Sequence, residues 1–263
     1  GITKLYAHQK EAIEAALRGD NVVLTTGVAS GKSLCYQFPI LQNLLISPQS
    51  RALLLFPTKA LAQDQKLKMQ ELIQGLIQEN PNIPPIFSGI YDGDTEVGAR
   101  RNIRNKSNLI FSNPDMLHLA ILPNHTLWSN FFANLKWIIL DEVHIYRGVF
   151  GSHFANVIRR LKRICDFYGS SPNFICTSAT IANAKELTEI LLEEPVHLVD
   201  KDYSPHSKRD FFIVNPPIVD YVLGIRRSAL MESTILAKRW LQYKGQAILF
   251  CGSRRSVEIV YLY

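Results

Sequence analysis

Two short stretches of this 263-residue sequence hold residues whose types and spacing suit phosphate chemistry. The first closes the run Val22–Ser33, Val-Val-Leu-Thr-Thr-Gly-Val-Ala-Ser-Gly-Lys-Ser. Small residues at Gly27, Ala29, Ser30 and Gly31 let backbone N–H groups converge on an anion, and a helix beginning at Lys32 adds the positive end of its dipole. Lys32 can then reach the β and γ phosphates of a nucleotide, and the Ser33 hydroxyl can ligate magnesium. The strict phosphate-loop pattern wants glycine where Thr26 stands, so on these residues alone a chance Gly-Lys-Ser in a loop stays open. The second stretch is Asp141-Glu142-Val143-His144, at the end of the apolar run Trp137–Leu140. Asp141 can hold magnesium, directly or through water, and Glu142 can orient or deprotonate an attacking water. Asp-Glu after an apolar run is common by itself. Together with an upstream phosphate loop it supplies what nucleotide hydrolysis needs.

Such residues work only if strands deliver them to one place. Val22–Leu24, Arg51–Phe56, Ile86–Tyr91, Leu109–Ser112, Trp137–Leu140 and Asn173–Thr177 read as strands, most of them continuous apolar runs. Helical patterns lie between them. One is led by Leu5-Tyr6-Ala7-His8-Gln9, with Ile13 and Leu17 on a face and Gly19 as its stop; another runs from Lys32 towards Leu45 with Pro39 expected to kink it. This alternation predicts an α/β domain with a mostly parallel sheet flanked by helices, whose right-handed crossovers keep the motifs at one sheet edge. Pro57-Thr58-Lys59-Ala60 is a strand-to-helix turn that can hold a nucleic-acid phosphate or serve as an ordinary cap. Asn113-Pro114-Asp115-Met116 is a helix-initiating turn. Gln9 could read adenine through its amide donor and acceptor, or sit on a solvated helix face. Ser178-Ala179-Thr180 offers hydroxyls to the Asp-Glu segment, or a cap before Ile181. The basic cluster at 100–106 suits a phosphate backbone or a solvated face, and a helix after the glycine-punctuated loop Tyr146–His153 bears Arg159, Arg160, Lys162 and Arg163.

From about Lys201 the pattern changes. Pro205, Pro216 and Pro217, with Lys208 and Arg209, mark an exposed connector with one strand at Phe211–Val214. A helix over Leu230–Tyr243 and a strand at Ala247–Phe250 follow. The expected division is 1–200, 201–229 and 230–263. Hydrophobic residues make up 47% of the chain, enough for a sizeable core and against disorder. The net charge of +6 is uneven: residues 1–200 hold 19 Lys/Arg against 18 Asp/Glu, and residues 201–263 hold 10 against 5. Cys35, Cys165, Cys176 and Cys251 show no C-x-x-C spacing, so neither a zinc site nor a disulfide framework is suggested, and reduced thiols in a cytoplasmic protein are expected. No apolar run is long enough for a bilayer and no signal-peptide pattern is present, so no membrane partner is expected. The sequence stops inside an apolar run, and a longer protein is expected.

The ordered set Gln9, Ala29–Ser33, Pro57–Ala60, Asn113–Asp115, Asp141–His144, Ser178–Thr180 and Phe250-Cys251-Gly252-Ser253 resembles the motifs of superfamily 2 helicases of the DEAD/DEAH-box kind. The wording of Gly27–Tyr36 with Tyr146–His153 is similar to a narrower branch, the DNA-repair helicases like the bacterial mitomycin repair factor A and their eukaryotic relatives near the RecQ-like group. The resemblance implies a RecA-like ATP-binding domain followed by the start of a second RecA-like lobe. It implies ATP and Mg2+ as cofactors and single-stranded or partly duplex nucleic acid, DNA favoured, as partner. By the same resemblance ATP is held by Gln9 at the adenine and by Thr26, Gly27, Val28, Ala29, Ser30, Gly31, Lys32 and Ser33. Lys32 and Glu142 are then catalytic, and Ser33 and Asp141 hold the metal. Pro57, Thr58, Lys59, Gly93, Asp94, Thr95, Ser112, Asn113, Pro114 and Asp115 grip the nucleic-acid backbone. His144, Ser178, Ala179 and Thr180 link hydrolysis to strand movement. The arginines with which a second lobe completes the ATP site are expected in a part of the chain beyond Tyr263.

The expected function is an ATP-dependent DNA helicase or translocase in DNA repair. An RNA helicase shares the chemistry and differs in its handling of the 2′-OH. A regulatory module that holds ATP without doing work is a rival of another class. A small-molecule kinase is disfavoured, because Ser178–Thr180 and the backbone-gripping turns would have no use in it. Faster ATP hydrolysis on adding single-stranded nucleic acid separates the helicases from the other two.

Overall fold

A computed structural model describes residues 4–27, 29–205 and 208–262. In the first of two compact units, which ends at Pro205, the strands are β1 (Val22–Leu24), β2 (Arg51–Leu55), β3 (Ser88–Ile90), β4 (Leu109–Ser112), β5 (Leu135–Leu140), β6 (Asn173–Thr177) and β7 (His197–Val199). They form one sheet in the order β3-β4-β2-β5-β6-β1-β7, with every neighbouring pair parallel. Side-chain alternation explains why both faces are covered. Leu53, Ile138, Leu140 and Phe174 enter one hydrophobic cluster, while Ala52, Leu54, Trp137, Ile139 and Ile175 enter the other. A strand buried on both faces is apolar throughout, which is why these runs were legible without a period.

On one face lie α1 (Ala7–Arg18), α2 (Lys32–Ile46) and α3 (Lys59–Glu79), packed through residues such as Ala12, Ile40 and Met69. Between them and the next strands come α4 (Val97–Lys106) and the single turn α5 (Pro114–Met116). A π-turn at Leu117–Ile121 and a 3-10 segment at Leu122–Trp128 lead into α6 (Ser129–Ala133). These segments, with α7 (Gly148–Phe167) and α8 (Ala184–Leu192), cover the other face through Leu117, Trp128, Phe132, Phe154 and Leu191. Gly19 ends α1 in the left-handed region, with φ +98°. Pro39 is buried inside α2, which continues to Ile46. On α7, Arg159 pairs with Glu193 and Lys162 with Glu194, so part of that basic cluster is spent within the fold.

The second unit holds an antiparallel ribbon of β8 (Ile218–Asp220) and β9 (Ile225–Arg226), then α9 (Ala229–Gln242) and α10 (Arg254–Leu262). Ser228 caps α9 by accepting from the Met231 N–H at 3.2 Å. Two expected strands do not form. Phe211–Val214 and Ala247–Phe250 have no ladder partner among the described residues, and Ile213 and Phe250 are fully exposed. An apolar run without a neighbouring strand has nothing to pair with, so composition alone misleads there. The first compact unit runs to Pro205, so residues 201–205 group with it.

Candidate nucleotide and nucleic-acid site

Because the strands are parallel, their C-terminal ends lie along one edge, the usual ligand edge of an α/β sheet. The loop after β1, the turns after β2, β3 and β4, the Asp141-Glu142 segment after β5 and the Ser178–Thr180 segment after β6 all leave from that edge.

The loop after β1 is stapled from inside. Thr26, where the strict pattern has glycine, is buried, and its hydroxyl lies 2.7 Å from Ser30 Oγ. Ser30 donates its one hydroxyl hydrogen to the Gly27 carbonyl at 2.8 Å, so Thr26 is the donor to Ser30. Ala29 and Gly31 are both left-handed, with φ +63° and +78°. A Cβ at Gly31 would also meet Gln9 Nε2, the far end of a side chain, so both the left-handed backbone and this contact favour glycine there. Val28 lies outside the described residues. Lys32 donates to the carbonyls of Thr26 and Gly27 at 2.7 and 2.9 Å. Burial lowers its pKa, while the nearby charges of Glu142, Asp141 and Asp202 oppose that shift. Ser33 is half-buried in the first turn of α2.

Gln9 is buried, not on a solvated face. Its Oε1 accepts from the Tyr6 N–H at 3.0 Å and its Nε2 donates to the Gly31 carbonyl at 3.2 Å. Its neighbour His8 was not singled out by sequence, yet it is wholly buried against the same loop, with Nε2 2.9 Å from the Ser30 carbonyl.

The acidic pair is organised across the sheet. Thr177, the last residue of β6, donates its hydroxyl to Asp141 Oδ1 and accepts from the Glu142 N–H at 3.3 Å. Burial pushes the Asp141 carboxyl up to about 6, with the Thr177 hydrogen bond pulling the other way. Glu142 has φ +56°, a strained conformation for a residue with a side chain. His144 Nδ1 lies 3.1 Å from the Ala179 N–H, which donates to it, and 3.0 Å from Glu142 Oε2. A neutral ring with its lone pair at Nδ1 suits the first contact, and a protonated ring the second.

This corrects the expectation for Ser178 and Thr180. The hydroxyl that reaches the Asp-Glu segment belongs to Thr177. Ser178 is buried and its Oγ has no hydrogen-bond partner among the described residues, and α8 starts at Ala184, so Thr180 does not cap it. Sequence reasoning missed Thr177 because it was counted as the end of a strand.

The turns on the same edge are well built. Thr58 caps α3 by accepting from the Leu61 N–H at 3.3 Å, and Asn113 caps α5 by accepting from the Met116 N–H at 2.9 Å. Pro57 is half-buried, Pro114 buried and Asp115 exposed. Lys59 donates to Asp94 at 2.8 Å, joining the turn after β2 to that after β3 beside Gly93. Thr95 folds its hydroxyl onto the Ile90 carbonyl and Asp92 at 3.1 Å each. Ser112 is the exception. It is buried and donates to the Tyr91 carbonyl at 2.6 Å, so its hydroxyl is not available to a nucleic acid.

Comparison with known proteins agrees with this geometry. The DEAD/DEAH box helicase family profile matches residues 6–188. The helicase YprA of Bacillus subtilis, described as an uncharacterized ATP-dependent helicase, is 53% identical over 99% of this chain, which spans 34% of that protein. The ATP-dependent helicase hrq1 of Schizosaccharomyces pombe is 40% identical over 98% of the chain, which spans 24% of it. The crystal structure of the DUF1998 helicase MrfA bound to DNA and AMPPNP superposes with a TM-score of 0.91 at 52% identity, over 99% of this chain and 35% of that one. The chain thus spans about a third or less of these relatives. Seven parallel strands, the glycine-rich loop after β1 and an acidic pair bridged by Thr177 fall within or beside the matched residues, and the chain belongs to the DEAD/DEAH box helicase family.

Proposed function

We propose that this chain is the nucleotide-binding part of an ATP-dependent DNA helicase or translocase, acting in DNA repair. The observation that carries the reading is the single sheet edge that gathers Lys32, Asp141 and Glu142 with the capped turns at Thr58 and Asn113. Hydrolysis chemistry and backbone-facing turns then share one rigid support. MrfA, so similar over the whole chain, was solved with DNA and AMPPNP, which supports DNA and an ATP-type nucleotide as the ligands.

Lys32 leaves the Thr26 and Gly27 carbonyls to neutralise charge on the phosphates. Glu142, with its backbone fixed by Thr177, orients or deprotonates the attacking water. The hard oxygens of Ser33 and Asp141 suit Mg2+, which takes one or two protein ligands and fills its shell with water and phosphate. When bound, that ion neutralises charge on the phosphate oxygens. Gln9 contacts adenine. The turns at 57–59, 93–95 and 113–115 hold the strand by its phosphates, while His144 relays between Glu142 and Ala179. The protein acts in the cytoplasm.

The test is ATP turnover by the protein that contains this chain, with matched single-stranded DNA, single-stranded RNA or neither, at one salt concentration. Stimulation by DNA is expected. Stimulation by RNA alone would make it an RNA helicase, and none by either would leave an ATP-holding module.

A further inference from the structure

A short segment beyond the sheet holds both ends of the phosphate loop from outside. Asp202 Oδ2 accepts from the Gly27 N–H at 2.8 Å, at the start of the loop. At its far end the Ser30 carbonyl lies 2.9 Å from His8 Nε2, and His8 Nδ1 accepts from the Tyr203 N–H at 3.2 Å. A backbone amide can only donate, so Nδ1 is the acceptor and Nε2 carries the hydrogen given to Ser30. The carboxylate is itself locked: Asp202 Oδ1 accepts from the Ser204 N–H at 2.8 Å and from its hydroxyl at 2.6 Å. Oδ1 lies 4.0 Å from His8 Nδ1, beyond hydrogen-bond distance, and Tyr203 has taken that position. His8 is wholly buried and Asp202 nearly so, at 0% and 15% side-chain exposure.

We propose that Asp202 and His8 are positioning residues of the nucleotide site, which tie Gly27 and Ser30 to the strap 202–204 and so set the loop's shape before nucleotide binds. The proposal rests on the reading that residues 26–33 take nucleotide phosphates. Nucleotide affinity consequently depends on the strap as well as on the loop's own residues.

The experiment measures equilibrium binding of a fluorescent ADP analogue to the protein that contains this chain and to its Asp202→Ala, Asp202→Asn and Lys32→Ala variants. Asp202→Ala removes a charge-assisted acceptor, and about tenfold weaker binding is expected. Asp202→Asn keeps one acceptor oxygen, which cannot serve the Gly27 and Ser204 N–H groups together, and binding between that of Asp202→Ala and wild type is expected. Wild-type affinity in Asp202→Ala overturns the proposal. So does tighter binding in both variants, which would make the carboxylate a competitor of phosphate. If the wild type binds no better than Lys32→Ala, the nucleotide-loop reading fails instead. Amide hydrogen exchange of the unliganded wild type tests the strap without any variant. Protection of both Gly27 and Tyr203 is expected, and free exchange at either overturns the proposal.

Discussion

Thr177 gives the sharpest test of how the acidic pair is held. Its single hydroxyl donates to Asp141 and accepts from the Glu142 amide. Thr177→Val keeps the shape, removes both contacts and leaves a half-buried N–H without its partner. A hydrogen bond to a charged group contributes about 1.5–3 kcal/mol net, and an orphaned buried donor costs about 1–3 kcal/mol. The two overlap, because one hydroxyl serves both, so the expected loss of stability is about 2–3 kcal/mol. The functional effect follows from orientation. Loss of the group that positions a metal-binding carboxylate typically costs about 10- to 100-fold in metal affinity or activity. Urea unfolding of wild type, Thr177→Val and Thr177→Ser measures the first quantity, and the magnesium concentration for half-maximal nucleotide binding measures the second. Thr177→Ser should behave nearly as wild type. A valine variant as stable as wild type, with unchanged magnesium dependence, would refute the bridging role.

Three other outcomes are expected. Lys32→Ala should abolish nucleotide turnover, because a charge that neutralises the transferring phosphoryl group is worth several kcal/mol; near-normal turnover would remove the phosphate loop from the site. Glu142→Gln should bind nucleotide and fail to hydrolyse it, since the amide cannot accept a proton from water; a folded variant that binds none would mean that Glu142 is misassigned. Asp94→Asn should free Lys59 from its exposed ion pair and strengthen single-stranded DNA binding at low salt, with a salt dependence steeper by about one phosphate contact; an unchanged salt slope would show that Lys59 does not face the strand.

Much of the first unit was legible because its strands are buried on both faces. Val22–Leu24, Leu109–Ser112 and Asn173–Thr177 carry no polar residue that a solvated strand face would demand, save at their ends. The candidate site was legible wherever chemistry lies in adjacent residues, as in Gly31-Lys32-Ser33 or Asp141-Glu142. It was illegible where a side chain serves its own scaffold. Ser112 stands beside Asn113 in a plausible nucleic-acid turn, yet its hydroxyl is spent on Tyr91, which comes opposite it where the β3–β4 register is continued. In the second unit the apolar runs at 211–214 and 247–250 carried a strand signal with no strand beside them among the described residues, and a signal of composition cannot report a missing partner.

Thr177 and Asp202, which sequence reasoning missed, share one cause, which is lateral register; His8, on α1, is reached through the loop it packs against. Leu140 lies opposite Cys176 in the β5–β6 ladder, so the next residues, Asp141 and Thr177, come side by side at the edge. On the other side of the phosphate loop, β7 runs parallel to β1 with Leu24 opposite Val199, and the Thr25 N–H is donated to the Val199 carbonyl at 3.0 Å. That pairing carries the chain out of the sheet beside the loop, and three residues later Asp202 meets Gly27. His197–Val199 is only three residues long, and its two apolar residues follow closely on α8 and Pro195. Its existence depends on the exposed flank of β1, which offers a ladder that the sequence of β7 does not announce. Missing the strand therefore also meant missing the carboxylate it delivers.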